Sequence, residues 1–217
     1  MKAMFFDMDG TLVDSRIDLA SSVNLTRRDL SLSELTVDEV IANVGCGAQY
    51  LLENSIPECF GPSPSVKIDL KDLKELFRRH YHENCCARLT LYPFVVETLE
   101  ELKSRGWLLG VNTNKPRFAT DLILDRFGLK RFFLDAVVAG GDCAQMKPSA
   151  LPLFECARRM PSHMLSSDDW MVGDSWTDMR SAQAAGIKGA FCSFGFGDIK
   201  DAPSTVLLHS FKDLLEL

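Results

Sequence analysis

From residue 91 onward, short apolar runs bounded by glycine or proline alternate with stretches of helical apolar spacing, and that alternation leaves few folds open. Strands are expected at 107–113, 134–139, 170–173, 188–193 and 205–208. Helices are expected at 95–105, 116–127, 149–160 and 175–185, with a short one at 211–217. Strands joined through helices pair in parallel, with right-handed crossovers and both sheet faces covered. The expected class is α/β, a doubly wound parallel sheet of Rossmann-like form.

The first residues supply one more strand. Met1 to Phe6 is an apolar run that leads into Asp7, Met8, Asp9 and Gly10. Between this strand and residue 89 the pattern is helical throughout. Ser15 is placed to cap a helix through Ile17, Leu19, Val23, Leu25 and Leu30, and Thr36 with Glu39 reads as a capping box. Gly45-Cys46-Gly47 breaks the pattern, 49–54 reads as a short helix, 56–65 as a Pro, Gly and Ser-rich loop, and 66–84 as a longer helix. The expected organisation is a core of 1–14 and 89–217 with a helical block, 15–88, inserted after the first strand.

Polar residues gather where the buried strands end. Residues two apart in an extended chain share a side, so Asp7 and Asp9 are expected to face each other's space, a repulsion that a cation or a shared proton would relieve. Thr113 follows the 107–113 strand and could bind a phosphate oxygen together with free helix amides. Lys147 precedes a helix and could oppose a phosphate or a carboxylate. Asp174 and Asp178, in a Gly-Asp-x-x-x-Asp pattern, offer hard oxygens suited to Mg²⁺. Each also has a structural reading: an Asx turn for the first pair, a helix cap for Thr113, a solvated amine for Lys147, and acids answering a helix dipole for the last pair. In an open α/β sheet, all of them would converge beyond the carboxyl ends of the strands.

DMDGTLVDS at 7–15, NTNKP at 112–116, KPSALPLF at 147–154 and GDSWTD at 173–178 appear in an order that resembles the haloacid dehalogenase-like superfamily, in particular its phosphoglycolate phosphatase group. That group usually has proline where Ala150 stands. The resemblance spans nearly the whole chain and implies a phosphatase acting on a small phosphorylated metabolite, 2-phosphoglycolate by preference. It implies Asp7 as nucleophile, Asp9 as acid and base, and Gly10, Thr113, Asn114 and Lys147 around the phosphoryl group. Mg²⁺ would be held by Asp7, the backbone carbonyl of Asp9 and Asp174, with Asp178 in support. The helical block would be a cap whose Gly45-Cys46-Gly47 loop faces the leaving group, although the same residues also read as a plain interhelix turn. The alternatives are a phosphomutase of the β-phosphoglucomutase type, and a phosphatase for another small metabolite or pyrophosphate.

Composition narrows the partners. A net charge of -6 with no basic cluster argues against nucleic acid, and no apolar stretch is long enough to span a bilayer. Seven scattered cysteines without a C-x-x-C pair do not form a disulfide pattern and fit a reducing cytoplasm. The adjacent Cys85 and Cys86 read as a pair at a helix end, and His80 and His82, on different helix faces, as solvated. The expected state is a monomer or homodimer.

Overall fold

A computed structural model describes residues 2–217. In chain order, β1 (Ala3–Phe6) and β2 (Val13–Asp14) precede α1 (Arg16–Asp29), α2 (Val37–Ile41), α3 (Ala48–Ser55) and α4 (Leu70–Asn84). Then come β3 (Thr90–Leu91), α5 (Val95–Ser104), β4 (Leu108–Pro116), α6 (Arg117–Arg126), α7 (Lys130–Phe133), β5 (Val137–Gly140) and α8 (Leu151–Arg158). β6 (Trp170–Gly173), α9 (Trp176–Ala185), β7 (Lys188–Cys192), β8 (Val206–Leu208) and a 3₁₀ helix (Phe211–Glu216) complete the chain. Among the described residues, no helix is long and apolar enough to cross a membrane.

Six strands form one parallel sheet in the order β5-β4-β1-β6-β7-β8. β1 lies inside it, and its alternate side chains feed two different cores. Met4 and Phe6 join Val111, Phe133, Val172 and Phe211 on one face. Ala3 and Phe5 join Leu153, Cys156, Met160 and Met171 on the other. Burying a Phe or Met side chain stabilises by roughly 1.5–3 kcal/mol, so a strand buried on both faces is fixed in register as well as in place.

The helices of 16–84 pack around a separate core of Leu19, Val23, Leu52, Leu73, Phe77 and Tyr81, which meets the rest of the chain at Ala119, Phe118 and Leu122 of α6. The chain leaves the sheet at β2 and returns at β3, and these two pair antiparallel as a small ribbon. The Thr36 and Glu39 capping box forms as expected. The helix expected from residue 66 begins at Leu70, because Asp69 caps it through the amide of Asp72 at 2.8 Å. His80, expected in solvent, lies 2.8 Å from Asp29 on α1, and all seven cysteines are free thiols.

Other departures have local causes. Ser15 occupies the position before α1 but makes no cap hydrogen bond, since its hydroxyl is used by Asp9. The strand expected from residue 134 starts at Val137, because α7 intervenes and buries Phe132 and Phe133. The last short helix is 3₁₀.

Asp169, fully buried, fixes the start of β1. Its carboxylate accepts the amides of Ala3 and Ser166, both at 2.8 Å, and lies 2.9 Å from His163 Nε2. Asp169→Ala would strand the buried amide of Ala3 and free the part-buried one of Ser166, and is expected to destabilise the fold by about 2–3 kcal/mol, read as a lower urea midpoint at unchanged slope.

Candidate active site

Sheet register assembles this site. Phe6 lies beside Val111 on β4 and Val172 on β6, so the residues that follow each strand emerge side by side. The Asp7 amide adds one more ladder bond, to Val172 O at 2.9 Å. Asp7, Thr113 and Asp174 thus arrive together at the carboxyl edge of the sheet, and α9 brings Asp178 from its first turn.

Asp7, Asp174 and Asp178 each place a carboxylate oxygen within 4.8 Å of the others, all buried. Close approach is possible only because glycine stands beside them. A Cβ on Gly10, whose φ is +78°, would lie 1.7 Å from Asp174 Oδ2, and one on Gly173 would lie 2.2 Å from Asp178 Cγ. Asp174 Oδ2 accepts the amides of Phe196 and Gly197 at 3.0 and 2.7 Å. Asp178 closes the capping box of α9, accepting the Ser175 amide at 3.0 Å and its hydroxyl at 2.7 Å.

One ammonium serves this cluster. Lys147 Nζ, on a side chain only 1% exposed, stands 2.6 Å from Asp178 Oδ1 and 2.9 Å from Asp7 Oδ1. Burial opposes its charge, but Asp178 and Asp7 outweigh that and raise its pKa. At Asp7 Oδ1 the ammonium supplies charge without an aligned hydrogen bond. Burial and the nearby Asp178 push the Asp7 pKa up to about 6, against the pull of Lys147 and the Thr113 hydroxyl. Asp174 is raised well above the carboxylate range by burial, then by Asp178 and Asp7. One ammonium among three carboxylates leaves about two negative charges when all are ionised, and an oxygen without a donor faces the cluster. That donor set fits a small divalent cation with hard oxygen preference.

Asp9 lies outside this cluster. It follows the end of β1 in the turn at Gly10, so the two-residue period of a strand does not reach it. Its Oδ1 accepts the Ser15 hydroxyl at 2.5 Å and Lys115 Nζ at 2.6 Å. Lys115 is buried at the end of β4 and also donates to the Tyr81 hydroxyl on α4. Burial opposes its charge, yet Asp9 and Tyr81 hold its pKa above the ordinary value.

A partly enclosed cavity opens over these groups. Asp7, Asp9, Thr113 and Asp174 line it from the sheet side, while Leu19, Val44, Leu51 and Phe77 line it from the helical insertion. Gly45 and Gly47 border it as well, but Cys46 does not, and burial raises the pKa of that thiol. The Asn114 side chain is engaged elsewhere. Its amide nitrogen donates to Gly45 O at 2.9 Å and Lys147 O at 3.0 Å, and its oxygen accepts the Lys147 amide at 2.9 Å, so it braces the lysine and the insertion and has no donor left for a phosphoryl group.

The sequence reading missed Lys115, Tyr81, Ser15 and the 196–197 loop. Lys115 stood in view, a charge at the end of an apolar strand beside Thr113. Tyr81 falls within the longer helix expected over 66–84, where helical apolar spacing gives no sign of a polar role.

The model of the haloacid dehalogenase-like hydrolases matches residues 4–192. The chain belongs to that family. Within it, the chain is 32% identical to a phosphoglycolate phosphatase of Aquifex aeolicus, over 100% of this chain and 96% of the relative. It is 33% identical to a phosphoglycolate phosphatase of Mannheimia succiniciproducens, over 100% and 97% respectively. A crystal structure of a predicted phosphoglycolate phosphatase from Haemophilus somnus superposes with a TM-score of 0.89 at 30% identity, covering 100% of this chain and 97% of that one. That superposition takes in the sheet and the helices of 16–84 together.

The charge cluster makes a stability prediction. With Asp7 near 6 in the folded protein and near 4 unfolded, the unfolded chain binds fewer protons between those values. Stability therefore falls as pH rises from about 4 to 6, and the full penalty remains above that. Asp7→Asn removes it. In chelator at pH 8 the variant is expected to be more stable by about 1–3 kcal/mol, a Tm increase of several degrees, with no gain at pH below 4. Millimolar Mg²⁺ should raise the Tm of the wild type more than that of the variant.

Proposed function

We propose that this hydrolase is a Mg²⁺-dependent phosphatase that cleaves a small phosphomonoester, 2-phosphoglycolate first among candidates, through an aspartyl phosphate on Asp7. The observation that carries this reading is Asp7 itself, a buried carboxylate set against the Lys147 ammonium and facing a cavity, where a purely structural acid would be sealed by hydrogen bonds. The names of the full-length relatives supply the substrate.

In this reading residues 1–14 and 89–217 form the core and 15–88 the cap. Thr113 and Lys147 orient the phosphoryl group, and Asp7 attacks phosphorus in line. The ester P–O bond breaks as Asp9 passes a proton to the leaving oxygen. Asp9 then takes a proton from the water that displaces Asp7 from phosphorus, which returns both acids to their starting states. Mg²⁺ would be held by Asp7, the Asp9 carbonyl and Asp174, with Asp178 behind them, and would supply positive charge to the phosphoryl oxygens. The apolar roof of Leu19, Val44, Leu51 and Phe77 supports exclusion of water and a preference for small leaving groups. Seven free thiols are in keeping with work in the cytoplasm.

Inorganic phosphate released from a panel of 2-phosphoglycolate, sugar phosphates and pyrophosphate tests the reading. Wild type with Mg²⁺ is expected to turn over, and Asp7→Asn to lose at least ~10³-fold in kcat. Undiminished release by Asp7→Asn would remove the nucleophile, whereas isomerised sugar phosphate without release would favour a mutase. Lys147→Met is expected to cut kcat/KM by about 10²-fold or more, since it removes the only cation that touches Asp7 among the described residues.

A further inference from the structure

We infer that Lys115 is a positioning residue for Asp9, and that Tyr81 of the helical insertion completes the clamp, so that the acid–base carboxylate is set when the insertion sits over the site. The inference rests on the phosphatase reading and adds a role that this reading leaves unassigned.

Two donors converge on one oxygen of Asp9. Ser15 Oγ at 2.5 Å and Lys115 Nζ at 2.6 Å both point at Oδ1. Among the described residues no hydrogen-bond donor reaches Oδ2, and the Asp9 side chain is 13% exposed, facing the cavity. A salt bridge that served only the fold would engage both oxygens or lie away from the cavity. Here one oxygen is fixed and the other is left free for proton transfer, and fixing a carboxylate rotamer within a fraction of an ångström is what such a transfer requires.

The ammonium is itself held from the insertion. Lys115 has a side chain only 1% exposed, so few rotamers are open to it. Its Nζ donates to the Tyr81 hydroxyl, in line with the phenol oxygen and sealed from solvent. Tyr81 is fully buried, stacked on Phe77 at 5.2 Å and edge-on to Phe118 of α6 at 6.0 Å. Asp9, Lys115 and Tyr81 all line the same cavity. If α4 moved off α6, Lys115 would lose its hydroxyl acceptor, and its hold on Asp9 would loosen. Placement of the insertion and readiness of the proton donor are therefore linked through one amine.

A leaving-group series separates positioning from general damage. Alkoxide departure needs a proton from Asp9, whereas p-nitrophenolate departs without one, and kcat/KM reports only the steps through ester cleavage. Lys115→Met is expected to lower kcat/KM for alkyl phosphates by about 10²-fold and for p-nitrophenyl phosphate by less than about 10-fold. Lys115→Arg should recover part of the alkyl activity. Tyr81→Phe, which keeps the ring and its stacking, should show the same selective loss at a smaller size, and carries the test if Lys115→Met does not fold. Equal losses on both ester classes, or no loss on either, would overturn the inference while leaving the phosphatase reading intact. A wild type that releases phosphate from no ester would overturn both.

Discussion

Crowded negative charge is the constraint around which this protein is built. Three buried carboxylates within 4.8 Å of one another share a single ammonium. At that spacing each ionised pair repels by roughly 3–4 kcal/mol for an effective dielectric of 20, a large fraction of a domain's net stability. Rigid supports hold the charges in place. A strand buried on both faces carries Asp7, glycines give Asp174 and Asp178 room, and loop amides and a helix cap bind their remaining oxygens. On the proposed reading an incoming cation and phosphoryl group would bring the missing balance, and the site is preorganised for them.

The second feature is the difference in surroundings between two acids that lie two positions apart. Asp7 sits among other carboxylates with Lys147 opposite, while Asp9 sits with Lys115 and a hydroxyl. Paired carboxylates placed in unlike surroundings are the usual arrangement for unlike roles in one reaction. The turn at Gly10 produces the separation. Had β1 continued for three more residues, both acids would have shared one face and one environment.

How much of this was legible in the sequence follows from the range of the forces involved. Alternating periodicity reports burial on a sheet, so the parallel strands and the gathering of Asp7, Thr113 and Asp174 could be read, with parallel register doing the rest. The same periodicity misled at Asp9, because it holds only inside a strand. Ser15 looked like a cap from its neighbours, yet its hydroxyl serves a carboxylate six residues back. Asn114 looked like a phosphate ligand, but the loop at Lys147 and the insertion at Gly45 take all of its side-chain donors. Partners that lie 69 or 106 residues away leave no mark on local spacing.

The connection between sheet and insertion shows why such distant partners matter. The helices of 16–84 have their own core, join the sheet covalently through a ribbon of two residues per strand, and share apolar contacts with α6. A block attached in this way can shift against the sheet without breaking the ladder that holds Asp7. What ties it to the chemistry is polar and small in number: Asn114 to Gly45 O, and Lys115 to Tyr81. Both ties start from consecutive residues at the end of β4, one step beyond Thr113. In the proposed mechanism that strand end meets the phosphoryl site, the proton donor and the insertion at once, and it is there, rather than at Asp7, that movement of the insertion would couple to catalysis.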